Sequence, residues 1–228
     1  LFKANPGLST ATPLPIAMRY IFGTPEHIIP VYAEDNSGPL PKPVPGTQIP
    51  PKRRIRFQHW NAAHKFLVGT SGIRQGEIYS GILHRNILAD RVITSEWLDL
   101  PDLHEFLQQM VFPAGIESFF GSHILSLNPT LVEDYFMFAQ GVPKLLRGYP
   151  RWLVPTIYRN RNHMLKSMKK WHAFAKEHED FSKIEPSDPD WEENFGSKYI
   201  KARQNFLHQI ETMDDDGRAS EDLGIMFG

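Results

Sequence analysis

Arg218-Ala219-Ser220-Glu221-Asp222-Leu223-Gly224-Ile225-Met226-Phe227-Gly228 is the stretch on which the reading of the fold turns. Its second half is almost wholly apolar, whereas a surface helix keeps its apolar residues to one stripe. The pattern predicts a helix from near Ser220 to Phe227-Gly228, buried on all sides as a central core helix is. Such an element needs other helices around it, so the expectation is a mainly α chain. Exposed apolar ends are unusual at true C-termini, and the segment reads as a core helix interrupted after about two turns.

The rest of the chain supplies helices to surround it. Asp102-Leu103-His104-Glu105 has the form of a capping box. It opens an apolar stripe of Leu103, Phe106, Leu107, Met110, Val111 and Ala114 at helical spacing, which Pro113 is expected to kink or break. Asn128-Pro129 predicts a helix start, an N-cap followed by proline at the first position. Glu133 and Asp134 then lie toward the positive end of the dipole, and Gly141 with Pro143 predicts the end. Residues 159–177 carry a stripe of Met164, Leu165, Met168, Trp171 and Ala175. A helix from about Ser197 to Met213 turns Ile200, Phe206, Leu207 and Ile210 inward. Asp214-Asp215-Asp216-Gly217 predicts a loop. Strand signals are few, and Arg54 to Phe57 is the best short candidate. Six of the 19 prolines fall between Asn36 and Pro51 and predict an extended, polyproline-like loop over 36–51. No internal repeat is visible, and 1–228 reads as a single, partial domain.

Composition narrows the chemistry. The chain has 228 residues, 25 Lys+Arg against 26 Asp+Glu, and no cysteine. Without cysteine it supplies no disulfide, thiol nucleophile, zinc-thiolate cluster or thiolate ligand to haem iron. A net charge of −1 argues against a dedicated nucleic-acid binder. No apolar run approaches the roughly 20 residues that span a bilayer. The first residue is Leu1, which suggests a processed chain or one cut from a longer protein.

Ten histidines invite a metal reading, but the motifs fail. His104-Glu105 is followed by Gln108 where a zincin needs its second histidine, and His172 and His178 are six apart. There is no nucleophile elbow and no phosphate loop. A basic block from Arg147 to Lys176 holds eight Lys/Arg and no acid, and residues 177–193 hold eight acids and one lysine. Two readings stand: a surface for an acidic partner or anionic lipid, or a solvated helix face followed by a polar loop. Lys52, Arg53, Arg54 and Arg56 form a second cluster ahead of Trp60-Asn61-Ala62-Ala63-His64. In a helix Trp60 and His64 share a face and offer N–H donors to a carboxylate or phosphate. Equally, they are a packed tryptophan and a surface histidine.

Several segments taken in order carry a resemblance. They are Met18-Arg19-Tyr20-Ile21-Phe22-Gly23, His64-Lys65-Phe66-Leu67-Val68-Gly69, Leu100-Pro101-Asp102-Leu103 with the helix to Phe119-Phe120-Gly121, and Leu127-Asn128-Pro129 with Val132-Glu133-Asp134. Tyr149-Pro150-Arg151-Trp152-Leu153, Trp171-His172 and the terminal Arg218 to Gly224 complete the series. Together they resemble fungal cytochrome P-450 monooxygenases of the group similar to sterol 7α-hydroxylase and prostacyclin synthase. The resemblance implies an incomplete P-450 fold, from about the B helix to the start of the I helix, with little or no sheet.

The same resemblance places Trp60 and His64 at the C-helix Trp-x-x-x-Arg position, whose side chains hold haem propionates, with His in place of Arg. It places Met226, Phe227 and Gly228 at the edge of the distal pocket and substrate channel. The oxygen-activating I-helix segment, the Glu-x-x-Arg helix and the cysteine loop are absent, so no catalytic residue and no metal ligand is assigned. The expected cofactor is haem in the full-length family, not stably bound by this chain. The implied partners are a lipophilic substrate and an electron-donor reductase. Residues 129–176 resemble the F–G region, with membrane-surface contact through 147–176, and the full-length family resides at the endoplasmic reticulum membrane. The competing readings are a non-catalytic helical interaction module, or remnant pseudoenzyme, and an unrelated histidine-dependent hydrolase.

Overall fold

A computed structural model of the chain describes residues 13–90 and 99–227. Within them the apolar terminal segment is helical, over Asp215–Phe227 (α10), and the other elements are arranged to cover it. In chain order they are α1 (Pro13–Ile16) continuing into a π-helical turn (Ala17–Phe22), α2 (Ile29–Ala33), a 3-10 turn (Pro51–Arg53) and α3 (Ile55–Phe66). Then come α4 (Gly69–Asp90), α5 (Leu103–Phe120), α6 (His123–Leu127), α7 (Leu131–Leu146) and α8 (Pro155–His178). A two-stranded ribbon of β1 (Trp191–Glu192) and β2 (Gly196–Ser197) leads into α9 (Lys198–His208) and α10. The mainly α class expected from the sequence holds.

α10 packs on α8 and on the π-helical turn, α7 packs on α8, and α3 packs on α9. The stripes read in α8 and α9 face inward: Met164, Met168, Trp171, Ala175, Ile200 and Leu207 are fully buried. Trp171 meets Phe120 edge to face at 5.3 Å, tying α8 to α5.

Several boundaries differ from the sequence reading. Arg54 to Phe57 is no strand; Ile55 opens α3. Arg54 is buried and donates to the carbonyls of Pro41 and Leu40 and to the Ser37 hydroxyl, tethering the proline-rich segment to α3. α5 continues through Pro113. The lost hydrogen bond and steric clash, about 3 kcal/mol, are offset by packing on both sides: Phe112 stacks on Tyr135 at 4.0 Å and Ala114 is fully buried. Asp102 caps α5 as expected, accepting from His104 N and Glu105 N. The capping box does not close, because the Glu105 side chain accepts from Gln109 instead.

Asn128 does not cap α7. Its side chain is turned inward to donate to the Ile124 carbonyl, and the helix starts at Leu131 after Thr130. Gly141 and Pro143 do not end α7 either; it runs to Leu146. A Cβ at Gly141 would lie 2.4 Å from Ile157, so the glycine is there for the close approach of α8. Of the stripe read in α5, only Met110 and Ala114 are buried, while Leu103, Leu107 and Val111 are exposed.

One seam locks the C-terminal end of α5 to the ribbon. Gly121 and Gly196 both have φ of 83°, a region favourable only to glycine. A Cβ at Gly121 would fall 2.3 Å from the Glu193 carbonyl oxygen, and one at Gly196 would fall 2.1 Å from that of Phe119. The backbones therefore touch, and the Trp191 indole and the Ser197 hydroxyl donate to the carbonyls of Glu117 and Phe119 across the seam.

Candidate functional site

α3 presents Arg56, His59, Trp60 and Ala63 on one face, at i, i+3, i+4 and i+7. That face borders a cleft of about 480 Å3, closed by Met18 and Phe22 of the π-helical turn, Tyr199 and Arg203 of α9, and Glu221 and Ile225 of α10. Its walls are mostly apolar and its floor is ionic.

The floor centres on Glu221. One of its carboxylate oxygens accepts from the Tyr32 hydroxyl at 2.5 Å; the other lies 2.9 Å from Arg203 Nη2 and 3.2 Å from His59 Nε2. Arg203 Nη1 also donates to His59 Nδ1 at 2.5 Å. A guanidinium can only donate, so Nδ1 is an acceptor and the proton of neutral His59 sits on Nε2, where it reaches Glu221. The Glu221 carboxyl is held far below the usual carboxylate range. Burial opposes ionisation, but the neighbouring His59 ring, the Arg203 guanidinium and the Tyr32 hydroxyl outweigh it. Burial lowers the Arg203 guanidinium, but Glu221, Tyr199 and Asp222 together more than reverse that, and the net shift is upward. Tyr32 is pushed well up, first by burial and then by Glu221.

A second pair continues the network inward. Asp222, fully buried, accepts from Gln204 at 2.6 Å and from His172 Nε2 at 2.8 Å. Two buried carboxylates on one helix are thus matched by donors from α2, α3, α8 and α9. Burial of unpaired charge would otherwise be strongly destabilising.

Trp60 and His64 share a face of α3, as their spacing predicts. Their rings stack with centroids 4.8 Å apart and planes 22° apart. Neither the Trp60 indole N–H nor the His64 ring hydrogen-bonds to a described residue, and His64 is exposed. Trp60 borders the cleft. Met226 and Phe227 do not: Met226 is buried, and Phe227 packs among Phe22, Tyr135 and Phe138 with centroids about 6 Å apart. Gly224 and Ile225 of the preceding turn line the cleft instead, and Gly228 lies outside the described residues.

His59, Arg203, Glu221 and Tyr32 were not singled out by sequence. The signal available was Glu221-Asp222 at the head of the apolar run Leu223 to Phe227, which demands buried cations elsewhere. Among the described residues no group of three or more His, Asp or Glu side chains stands close enough to hold a metal, and no helix is long and apolar enough to cross a membrane.

No protein-family model matches the chain, and no solved structure matches it. Curated proteins do. The chain is 30% identical over 187 residues to cytochrome P450 monooxygenase fsoE of Humicola fuscoatra, covering 79% of this chain and 32% of that protein. It is 29% identical over 211 residues to cytochrome P450 monooxygenase efuG of Hormonema carpetanum, covering 92% of this chain and 35% of that protein. Similarity to cytochrome P450 monooxygenase calL of Penicillium decumbens is 24% over 199 residues, 81% of this chain and 34% of that protein. The chain is therefore related to fungal cytochrome P450 monooxygenases, spans about a third of the length of the curated relatives it matches, and contains no cysteine.

Proposed function

We propose that this chain is part of a haem-thiolate monooxygenase, the part that carries the C-helix donors for haem and the first turns of the helix over its distal side. The observation that supports it is the match of 79% and 92% of the chain to two fungal cytochrome P450 monooxygenases. The donor set fits one end of the cofactor: Trp60 and His64, neither hydrogen-bonded to a described residue, stack side by side on one helix face, suited to propionate carboxylates. It does not fit the other end, because no cysteine is present to ligate iron. When bound in a complete protein, haem supplies dioxygen activation. Trp60 and His64 would hold its carboxylates.

In a complete protein the apolar walls suit a lipophilic substrate, electrons come from a reductase, and residues 147–176 meet a membrane surface, that of the endoplasmic reticulum. By itself the chain is inactive. Replacing the matched third of the Humicola fuscoatra protein with this chain tests the reading. The chimaera is expected to bind haem and give a thiolate-type carbon monoxide spectrum, and Trp60→Phe with His64→Ala to lower haem retention. A folded chimaera without that spectrum would sink the proposal. The ionic floor completed within the chain favours a second reading, a non-catalytic helical module. That reading requires the isolated chain to unfold cooperatively.

A further inference from the structure

Arg203 stands between two carboxylates and is hydrogen-bonded to only one. Its Nη2 lies 2.9 Å from Glu221 but 3.6 Å from Asp222 Oδ1, beyond hydrogen-bond reach. Asp222 Oδ1 and Arg203 Nε are both buried without a hydrogen-bond partner among the described residues. The other Asp222 oxygen is taken by His172 and Gln204. A free acceptor thus lies just past a guanidinium with a donor to spare, and buried acceptors are rarely left so.

His59 holds the guanidinium off that second seat. Arg203 Nη1 donates to His59 Nδ1, and the ring's own proton is on Nε2, toward Glu221. The bond requires Nδ1 to be bare. An imidazolium carries hydrogen on both nitrogens, so a proton taken up by His59 sets N–H against N–H and cation against cation. Solvent can deliver that proton: the His59 side chain is 24% exposed and borders the cleft, whereas Asp222 is fully buried. Charge favours the uptake. With the histidines neutral, two buried carboxylates face one guanidinium, and a cation at His59 makes up the deficit.

The other groups around His59 leave the move open. On α9 the Tyr199 ring faces the guanidinium at 5.8 Å, and Phe206 meets the imidazole edge to face at 5.0 Å. Tyr32 is bonded to Glu221, and Asp35 is engaged by the Ser37 hydroxyl and the Arg56 amide. The π-helical turn adds only Met18 and Phe22, and Arg56 adds positive charge on the cleft side of α3. Behind Asp222, His172 is the rival site for the proton. It shares a cleft with Lys169, Lys176 and Arg218, against Glu177 and with Asp215 bonded to Arg218. The positive field there is felt by His208, held below its usual range first by burial and then by Arg218, His172 and Lys176.

We propose that Arg203 is a two-position arm set by the proton on His59. It rests on His59 and Glu221 while the imidazole is neutral, and swings onto Asp222 Oδ1 when the imidazole is charged, leaving Glu221 to His59 and Tyr32. The swing breaks the Arg203–His59 bond that joins α3 to α9, so acid loosens the α3 wall of the cleft. It uses neither Trp60 nor His64 and stands apart from the haem assignment.

NMR of the chain labelled with 15N in histidine and arginine, from pH 8 to pH 5, tests the arm over the range in which histidines titrate. At pH 8 His59 is expected as the Nε2–H tautomer. On acidification its Nδ1 should gain a proton, and the Arg203 guanidinium resonances should move with the same midpoint. Amide exchange along α3, corrected for the intrinsic effect of pH, should quicken about tenfold. His59→Gln keeps an acceptor and a donor but does not titrate; it should retain the helical spectrum and hold Arg203 still across the range. Asp222→Asn removes the charge of the second seat and should lower the proton affinity of His59 about tenfold. If that variant does not fold, the comparison of the unmodified chain with His59→Gln decides. Arg203 resonances that stay fixed while His59 titrates overturn the arm, as does movement that follows His172 or persists in His59→Gln. A His59 ring still neutral at pH 5, or an unchanged His59 midpoint in folded Asp222→Asn, overturns it as well.

Discussion

In the layer of α8, α9 and α10 the charges are inside. Arg203, Glu221 and Asp222 are each almost fully buried, and the apolar stripes close around them. In the α4–α5 hairpin the arrangement is reversed. Ile73 is 65% exposed and Leu103 60%, while Arg74 reaches outward to Asp190. Both regions are helical. The difference shows that helical spacing decides that an element forms, while a non-local partner decides what it buries. In α4 the partner matters to formation as well: its interior Gly72, Gly76 and Gly81 are each unfavourable by roughly 1 kcal/mol, and the helix is held where Ile82 is buried and α4 packs against α5.

Removing the buried charge is the sharpest way to break this contrast. Glu221→Ala leaves Arg203 with only its longer, 3.6 Å contact to Asp222 and should destabilise the chain by about 3–5 kcal/mol in urea unfolding. Removing Arg74 from the hairpin rim should change little, because an exposed pair such as Arg74–Asp190 contributes roughly 0–1 kcal/mol. Acid should act on the same group. The folded carboxyl of Glu221 lies far below its unfolded value, so its contribution is fully present above the unfolded value of about 4.3 and is lost as pH falls toward the folded one. Unfolding midpoints should therefore drop between about pH 5 and pH 3, and a Glu221→Gln variant should show a shallower slope.

The seam between the two regions comes next. Gly196→Ala places a Cβ against the Phe119 carbonyl in a strained backbone region, and a loss of about 1–3 kcal/mol is expected from thermal melts. Asp102→Ala removes the α5 cap, about 1 kcal/mol, and hydrogen exchange should quicken at His104 and Glu105 amides first. The smallest effect is expected from Ile73→Ser, within about 0.5 kcal/mol in the isolated chain. A larger loss there would mean that the exposed hairpin face is already covered.

The sequence was most legible where structure is local. The cap at Asp102, the stripes of α8 and α9 and the adjacency of Trp60 and His64 all follow from spacing within one helix. It was least legible where a distant contact overrides propensity. Pro113 and Pro143 lie inside helices because their neighbours pack, and Asn128 leaves its expected cap because the Ile124 carbonyl is a better-placed acceptor in the core. Arg54 reads as strand by composition but is a buried donor to loop carbonyls. The ionic floor was hidden for the same reason. Tyr32, His59, Arg203 and Glu221 come from four segments, and no periodicity within one element brings them together.

The glycine crossing also imposes an order of events. The hydrogen bond from Ser197 to the Phe119 carbonyl joins residues 78 apart. A chain emerging from its N-terminus completes α5 long before residue 197 exists, so this contact forms late. The loop it closes holds α6, α7, α8 and the ribbon, each able to fold inside it beforehand. The two glycines thus act as a clasp on an assembled package, and the rate at which that clasp finds its place sets how long the apolar faces of α5 and α9 remain open to wrong partners.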